Sequence, residues 1–192
     1  MSTSTTAARP TETEELVPIG SWRVTEASHI GFAIKSLGRT VKGRFGSFSG
    51  HLVHGEGDGV MASGSVEAAS IDTGNGKRDD HLRSADFLDA ANHPQITFAS
   101  RRVIADGERY EIPGTLTIKG VSQDVALVGT LLPAAPGDDG YTIRIGVETT
   151  INRHDYGVKA PPAIEMFGLF VSAHVKIELE VVAVADPRPT IS

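Results

Sequence analysis

From Trp22 onward the apolar residues recur at every second position, the spacing that puts alternate side chains on one face of a strand. Ile30, Phe32 and Ile34 share one parity, and so do Val41, Gly43 and Phe45. After Gly46 the parity steps to Phe48, Gly50 and Leu52, which predicts a bulge or kink at the glycine and no helix. The alternation continues through Val60, Ala62, Gly64, Val66 and Ala68, then Ile96 and Phe98, then Tyr110, Ile112, Gly114, Leu116 and Ile118. It closes with Val125, Leu127 and Leu131, a run from Tyr141 to Ile151, and a last run from Val171 to Val181. HGEGDG, ADGE, KGVSQD and APGDDG read as turns between antiparallel strands. No long segment carries a helical stripe. Short helices fit in the 72–94 connection, where Ser84 could cap a turn through DFLDAA, and in PPAIEMFG.

This pattern predicts an all-β, antiparallel protein of about eight strands, either a sandwich or a closed up-and-down barrel. The face formed by Val60, Ala62, Gly64, Val66 and Ala68 is made of small residues, and aromatics are 6% of the chain. A barrel of about eight strands can hold one ligand behind such a wall. Alternatively Phe32, Phe45 and Phe98 pack against it and fill the interior. With 192 residues the chain suits one domain. Residues 1–18, rich in Ser, Thr, Glu and Pro, are expected to be a disordered tail, 19–185 the barrel, and 186–192 a flexible tail.

A net charge of −6 argues against nucleic acid or an anionic membrane as partner. The absence of cysteine removes disulfides, thiolate catalysis and cysteine-held zinc. No run of about 18 apolar residues offers a membrane span, so no stable membrane insertion is expected. The amino terminus lacks the basic and apolar blocks of a secretory signal, so a cytoplasmic location is the expectation.

The stretch DTGNGKRDDHLRSADFLD concentrates Asp72, Asp79, Asp80, Asp86 and Asp89 with Lys77, Arg78, Arg83 and His81. Asp80 and His81 could form a proton-transfer pair only if their side chains converged, and neighbours on a helix face different ways. RDDHLR is therefore read as a helical turn with its charges toward solvent and with Leu82, Phe87 and Leu88 turned inward. Ser84 has no nucleophile elbow around it. His51 and His54 fall on opposite faces of a strand, and no helical HxxxH pair or calcium loop occurs, so no metal site is expected. In INRHDYGV, Arg153 and Asp155 share a parity and are expected to pair at a barrel corner. Arg44, Arg78 and Arg83 would reach an anionic headgroup if they faced a barrel mouth, and are otherwise surface residues.

The words SVEAASIDTGNGKRDDHLRSADFLDAANHPQITF, GTLTIKGVSQDVAL and INRHDYG, with VKGRFGSFSG before them, resemble the YceI-like family from Trp22 to about Val184. That family's lipocalin-like barrels are associated with binding polyisoprenoids and related lipids. Where the family commonly has a His-Ser pair before the second strand, this chain has Ala27 and Ser28; Lys35 is followed by Ser36, and Ala173 and His174 stand where acidic residues are frequent. The resemblance implies an extended, antiparallel, eight-stranded lipocalin-like barrel with short helices in the 72–94 connection. It implies an interior lined by Phe32, Ile34, Phe45, Phe48, Val66, Leu82, Phe87, Phe98, Leu116, Ile118, Ile143, Ile145 and Phe167, with Arg44 and Arg78 at its polar end. The expected activity is binding, sequestration or transport of a long apolar ligand, an isoprenoid of quinone or prenyl-phosphate type, with no cofactor. Two rivals are a hydrolase or other enzyme acting on a bound lipid or amide through Asp80 and His81, and a ligand-free stress-related structural protein. An exposed edge or barrel mouth could support a homodimer.

Overall fold

The computed structural model describes residues 17–56, 59–106, 109–137, 140–159 and 171–186. The expected tails up to residue 16 and from 187, the PPAIEMFG helix and Phe167 lie outside the described residues.

Among the described residues twelve strands form one antiparallel sheet: β1 (Gly20–Val24), β2 (His29–Ser36), β3 (Arg39–Phe45), β4 (Phe48–Gly55), β5 (Gly59–Glu67), β6 (Ile71–Asp72), β7 (Gln95–Ser100), β8 (Ile104–Asp106), β9 (Arg109–Ile118), β10 (Val121–Gly137), β11 (Gly140–Asn152) and β12 (Val171–Ala185). The order β1-β4-β5-β7-β9-β10-β11-β12 closes on itself because β12 also pairs with β1, giving an eight-stranded barrel. Closure leaves none of these eight with a free edge along the shared ring.

The remaining strands are continuations past kinks. β1 and β2 both run antiparallel along β12, with Val24 opposite Ala183 and His29 opposite Glu180. The extra residues between them bulge, and two side chains repair the ladder there. Thr25 donates from its backbone and its hydroxyl to the Val182 carbonyl, while the Ser28 hydroxyl accepts from the Val182 N–H at 2.9 Å. β3 and β4 are likewise one path broken at Gly46, where the parity of the sequence shifts. Phe45 and Phe48 therefore both face inward although three positions separate them. A 3-10 turn, Ala68–Ser70, separates β5 from β6, which pairs with β3.

Two hairpins are tighter than the sequence suggests. Leu37-Gly38 and Lys119-Gly120 each have two consecutive positive φ values, 51° and 74° in the first and 50° and 74° in the second. Both are two-residue loops of the type whose twist matches the flanking strands. Only Lys119 and Gly120 of the expected KGVSQD turn are loop; Val121 opens β10 directly opposite Ile118.

The described residues contain one α-helix, α1 (Gly76–Arg83). Asn75 caps it, its side chain accepting from the Arg78 N–H at 3.1 Å. Ser84 ends this helix and does not start a second one: its N–H and hydroxyl both donate to the His81 carbonyl. DFLDAA then runs as turns, with Asp89 at φ 50°. No helix among the described residues is long and apolar enough to cross a membrane.

The core divides along the strands into two clusters. One gathers Trp22, Leu52, Val60, Ile112, Leu127 and Ile143. Val17 belongs to it at 1% exposure, although the sequence placed it in the tail. It is held because its carbonyl meets His54 Nδ1 and the Pro18 carbonyl accepts from Trp22 Nε1. The other cluster, nearer α1, contains Phe87, Leu116, Ile118, Ile151, Tyr156 and Val158.

Candidate ligand cavity

The barrel interior holds a cavity of about 480 Å³, lined by members of both clusters, within the range of roughly 300–1,000 Å³ typical of small-molecule sites. The small face of β5 makes room for it: Val60, Ala62, Gly64 and Val66 all line the wall. A Cβ at Gly64 would meet only the Ser49 carbonyl, at 3.5 Å, so the cavity in front of this glycine is open. The phenylalanines occupy part of the interior without closing it. Phe32 lies over Gly43, where a Cβ would come within 2.3 Å of its ring, and Phe98 lies over Gly114, where the distance would be 2.5 Å. Drawn down onto glycines, these rings become wall. Phe45 packs beside Phe32 with ring centroids 5.7 Å apart.

Of the residues named from sequence, Phe32, Ile34, Phe45, Phe48, Val66, Leu82, Phe87, Phe98, Leu116, Ile118, Ile145 and Arg78 line this one cavity. Ile143 does not. It shares the parity of Ile145, but it is fully buried in the cluster with Trp22 and Ala183 and is not among the cavity's lining residues. Arg44 does not either: it sits on the outer side of β3, where it donates to Asp72 at 3.2 Å with both side chains exposed. Parity decides this, since Arg44 lies between the inward Gly43 and Phe45 positions. The backbone N–H of Gly74 and the Arg44 guanidinium hold Asp72 below the usual carboxylate range.

The charged stretch closes one end, and its charges are not all solvated. Asp79 is 5% exposed and accepts from both the N–H and the hydroxyl of Thr73. Arg78 lies against the same threonine, donating to its hydroxyl at 2.7 Å and its carbonyl at 3.0 Å. Arg83 reaches back to the Ala69 and Ile71 carbonyls, tying the helix to the strand path. Burial is tolerated because each buried charge is hydrogen-bonded. With the helix so fixed, Leu82, Phe87 and Leu88 turn into the cavity. His81 sits edge-on to Phe87, centroids 4.9 Å apart, and its Nε2 lies 3.3 Å from Asp86. Asp80 pairs instead with Arg83 at 3.0 Å, so Asp80 and His81 do not form the proton-transfer pair an enzyme reading needs.

Three lining features went unnamed in the sequence. Val175, Ile177 and Leu179 of β12 face the cavity, and their alternation with Lys176, Glu178 and Glu180 carried the signal. Arg153 also lines it, 6% exposed, donating to the carbonyls of Val158, Ser172 and Val171. It fastens the corner to backbone oxygens of Val158, Val171 and Ser172 and not through Asp155. Tyr156, one turn on, is 1% exposed. Burial and the charge of Asp155 push its phenol up to about 12. Among the described residues no group of three His, Asp or Glu side chains could hold a metal.

A closed antiparallel barrel of eight strands, with an apolar cavity capped by a short helix, is the architecture of a lipocalin-like binding protein. The sequence profile of the YceI-like domain matches residues 22–183, and the chain belongs to that family. A UPF0312 protein of Pectobacterium carotovorum is 39% identical over 137 residues, 67% of this chain and 69% of its own. Protein YceI of Escherichia coli O157:H7 is 34% identical over 151 residues, 74% and 78% of the two chains. Among solved structures, BcnA of Burkholderia cenocepacia superposes with a TM-score of 0.73 at 25% identity, covering 84% of this chain and 99% of that one. A polyisoprenoid binding domain from Saccharophagus degradans, implicated in plant cell wall breakdown, gives 0.66 at 19% identity, with 86% and 98% covered, and shares the fold.

Proposed function

We propose that this protein binds a long apolar molecule in the barrel interior and sequesters or carries it, the ligand being an isoprenoid of quinone or prenyl-phosphate type. The observation that supports this most is the cavity of about 480 Å³ in the barrel interior, walled by aliphatic and aromatic side chains and left open by the small residues of β5. Each methylene moved from water into such a wall contributes about 0.8 kcal/mol. A chain of about ten carbons thus gains about 8 kcal/mol before ordering losses, which reaches useful affinity without any polar contact. Membership of the YceI-like family points the same way. No covalent chemistry is part of this reading, which also leaves Asp80 in an ion pair with Arg83.

Organic extraction of the purified protein, followed by mass spectrometry, tests it. A near-stoichiometric isoprenoid or other long chain is the expected result. A clean extract, together with no uptake of added prenyl lipids, would sink the proposal in favour of a ligand-free structural role.

A further inference from the structure

The β2–β3 hairpin differs in charge from the chain that carries it. From His29 to Phe45 it holds Lys35, Arg39, Lys42 and Arg44 and no carboxylate, in a protein of net charge −6. Arg44 is paired with Asp72, and Lys42 acts on Glu178. Lys35 and Arg39 are exposed and form no ion pair among the described residues. On the adjoining β11 and β12, Glu148 and Glu178 are both taken by Lys176 at 2.8 Å, and on α1 Asp80 is taken by Arg83.

The turn between these cations carries an unexpected residue. Leu37 has a φ of 51°, a conformation that asparagine or glycine adopts at least cost in a two-residue loop. Its side chain is 58% exposed, the most of any large hydrophobic residue among those described. Backbone and solvent both disfavour leucine here in the isolated molecule, whereas an apolar contact from outside would favour it. The turn also lies at the cavity. Ser36 and Val41 on either side of it line the wall, as do Val171, which pairs with Ser36, and Arg78 and Leu82 of α1. Lys77, exposed on the first turn of α1, precedes Arg78.

We propose that this turn docks on an anionic lipid bilayer, with Leu37 entering the acyl boundary and Lys35, Arg39 and Lys77 meeting lipid phosphates, so that an apolar ligand passes between membrane and cavity without crossing water. The net charge of the whole chain conceals this surface, because the hairpin's charge is opposite in sign. The contact is peripheral, since one apolar side chain with a few cations lies on a bilayer and does not span it. It fits a bilayer better than a protein partner, whose interface needs about 1,000 Å² or more around a packed apolar centre. The passage of ligand rests on the carrier reading, while the docking itself stands on the hairpin.

Co-sedimentation of the full chain with phosphatidylcholine vesicles, with and without phosphatidylglycerol, tests it. Wild type should sediment with the anionic vesicles only and be released by high salt. Leu37→Asn should lower partitioning about tenfold, through loss of the exposed part of one leucine. Lys35→Gln combined with Arg39→Gln should lower it about thirtyfold, at about fivefold per cation. Leu37→Asn should melt at or above wild type, because asparagine suits the turn. Met61→Asn, on the outer face of β5 at 45% exposure, should bind vesicles as wild type does. In Leu37→Trp the new indole should be quenched by brominated acyl chains while Trp22, 2% exposed, is not. Wild type left in the supernatant, or Leu37→Asn and the double variant sedimenting like wild type, would overturn the inference; uptake of a prenyl lipid added from ethanol would still report on the cavity and so on the carrier reading. Vesicle binding without any such uptake would keep the docking surface and sink the carrier reading.

Discussion

Gly64→Phe is the substitution that most directly asks whether the cavity is where a ligand goes. A Cβ at position 64 meets only one carbonyl, at the ordinary contact distance of 3.5 Å, and the strand keeps its pairing with β4 and β7. The added side chain therefore projects into the 480 Å³ space without first displacing backbone. It occupies room otherwise open to about seven ligand carbons. At about 0.8 kcal/mol each, their exclusion removes about 5.6 kcal/mol of binding, or about four orders of magnitude in Kd. The ligand-free protein changes much less. A strand glycine replaced by a β-former gains about 0.5–1 kcal/mol, and packing a ring into a preformed cavity adds apolar burial against an overpacking penalty of about 1–3 kcal/mol. The assay pairs titration of a prenyl lipid with a thermal melt of the free protein. Met61→Phe, on the same strand but facing solvent at 45% exposure, is the control that keeps affinity. Wild-type affinity in a folded Gly64→Phe protein would refute the reasoning, because the chain would then have to lodge outside this cavity.

Ser28→Ala leaves the Val182 N–H without its 2.9 Å partner in the bulge between β1 and β2. A loss of about 1–3 kcal/mol is expected, lowering Tm by about 5 °C on a circular dichroism melt, and an unchanged melt would show that the hydroxyl is not what seals the bulge. His81→Ala should retain the extracted ligand at the wild-type ratio; loss of turnover on a lipid or amide with retained binding would instead revive the enzyme reading. Tyr156, raised to about 12 from about 10, keeps its proton in the folded state after the unfolded chain has lost it. Its stabilising contribution is thus complete below about pH 10 and disappears as pH rises to about 12, so Tyr156→Phe should flatten the alkaline fall in urea-derived stability over that window. An equal slope in both proteins would contradict the burial of the phenol. Asp72 behaves in the opposite sense: its carboxyl is held low, so the Arg44 contact persists above about pH 4 and is lost as pH falls through the lowered value. Proton NMR of the Asp72 side chain below pH 4 reads it directly, and a titration at or above the ordinary carboxylate value would count against the contact.

Strand positions and inward faces were legible in the sequence because a strand's side chains alternate whatever lies across from them. That rule named Phe32, Ile34, Phe98, Leu116 and Ile118, and the step at Gly46 correctly announced a break in the ladder. It also marked β12, whose Val175, Ile177 and Leu179 were read as strand but not as cavity wall. The rule failed where packing in front of an inward side chain mattered. Ile143 and Ile145 are alike in parity, yet Ile143 is wholly covered by its neighbours while Ile145 lines the cavity. It failed too in the helical connection, where buried Asp79 depends on the Thr73 hydroxyl and N–H six residues away.

Alternation and turn chemistry were enough on their own to determine antiparallel strands and most of the residues facing inward, since both depend on local spacing, while the choice of a barrel over a sandwich came through the family resemblance of the motif words. Tertiary structure alone decided that the interior stays open. Rings long enough to fill it are pulled onto Gly43 and Gly114, and those contacts depend on which strands become neighbours when the sheet closes. The same closure leaves the Tyr156 hydroxyl buried without a partner, because a hydrogen-bonding group is satisfied or orphaned only by what folding brings across the barrel.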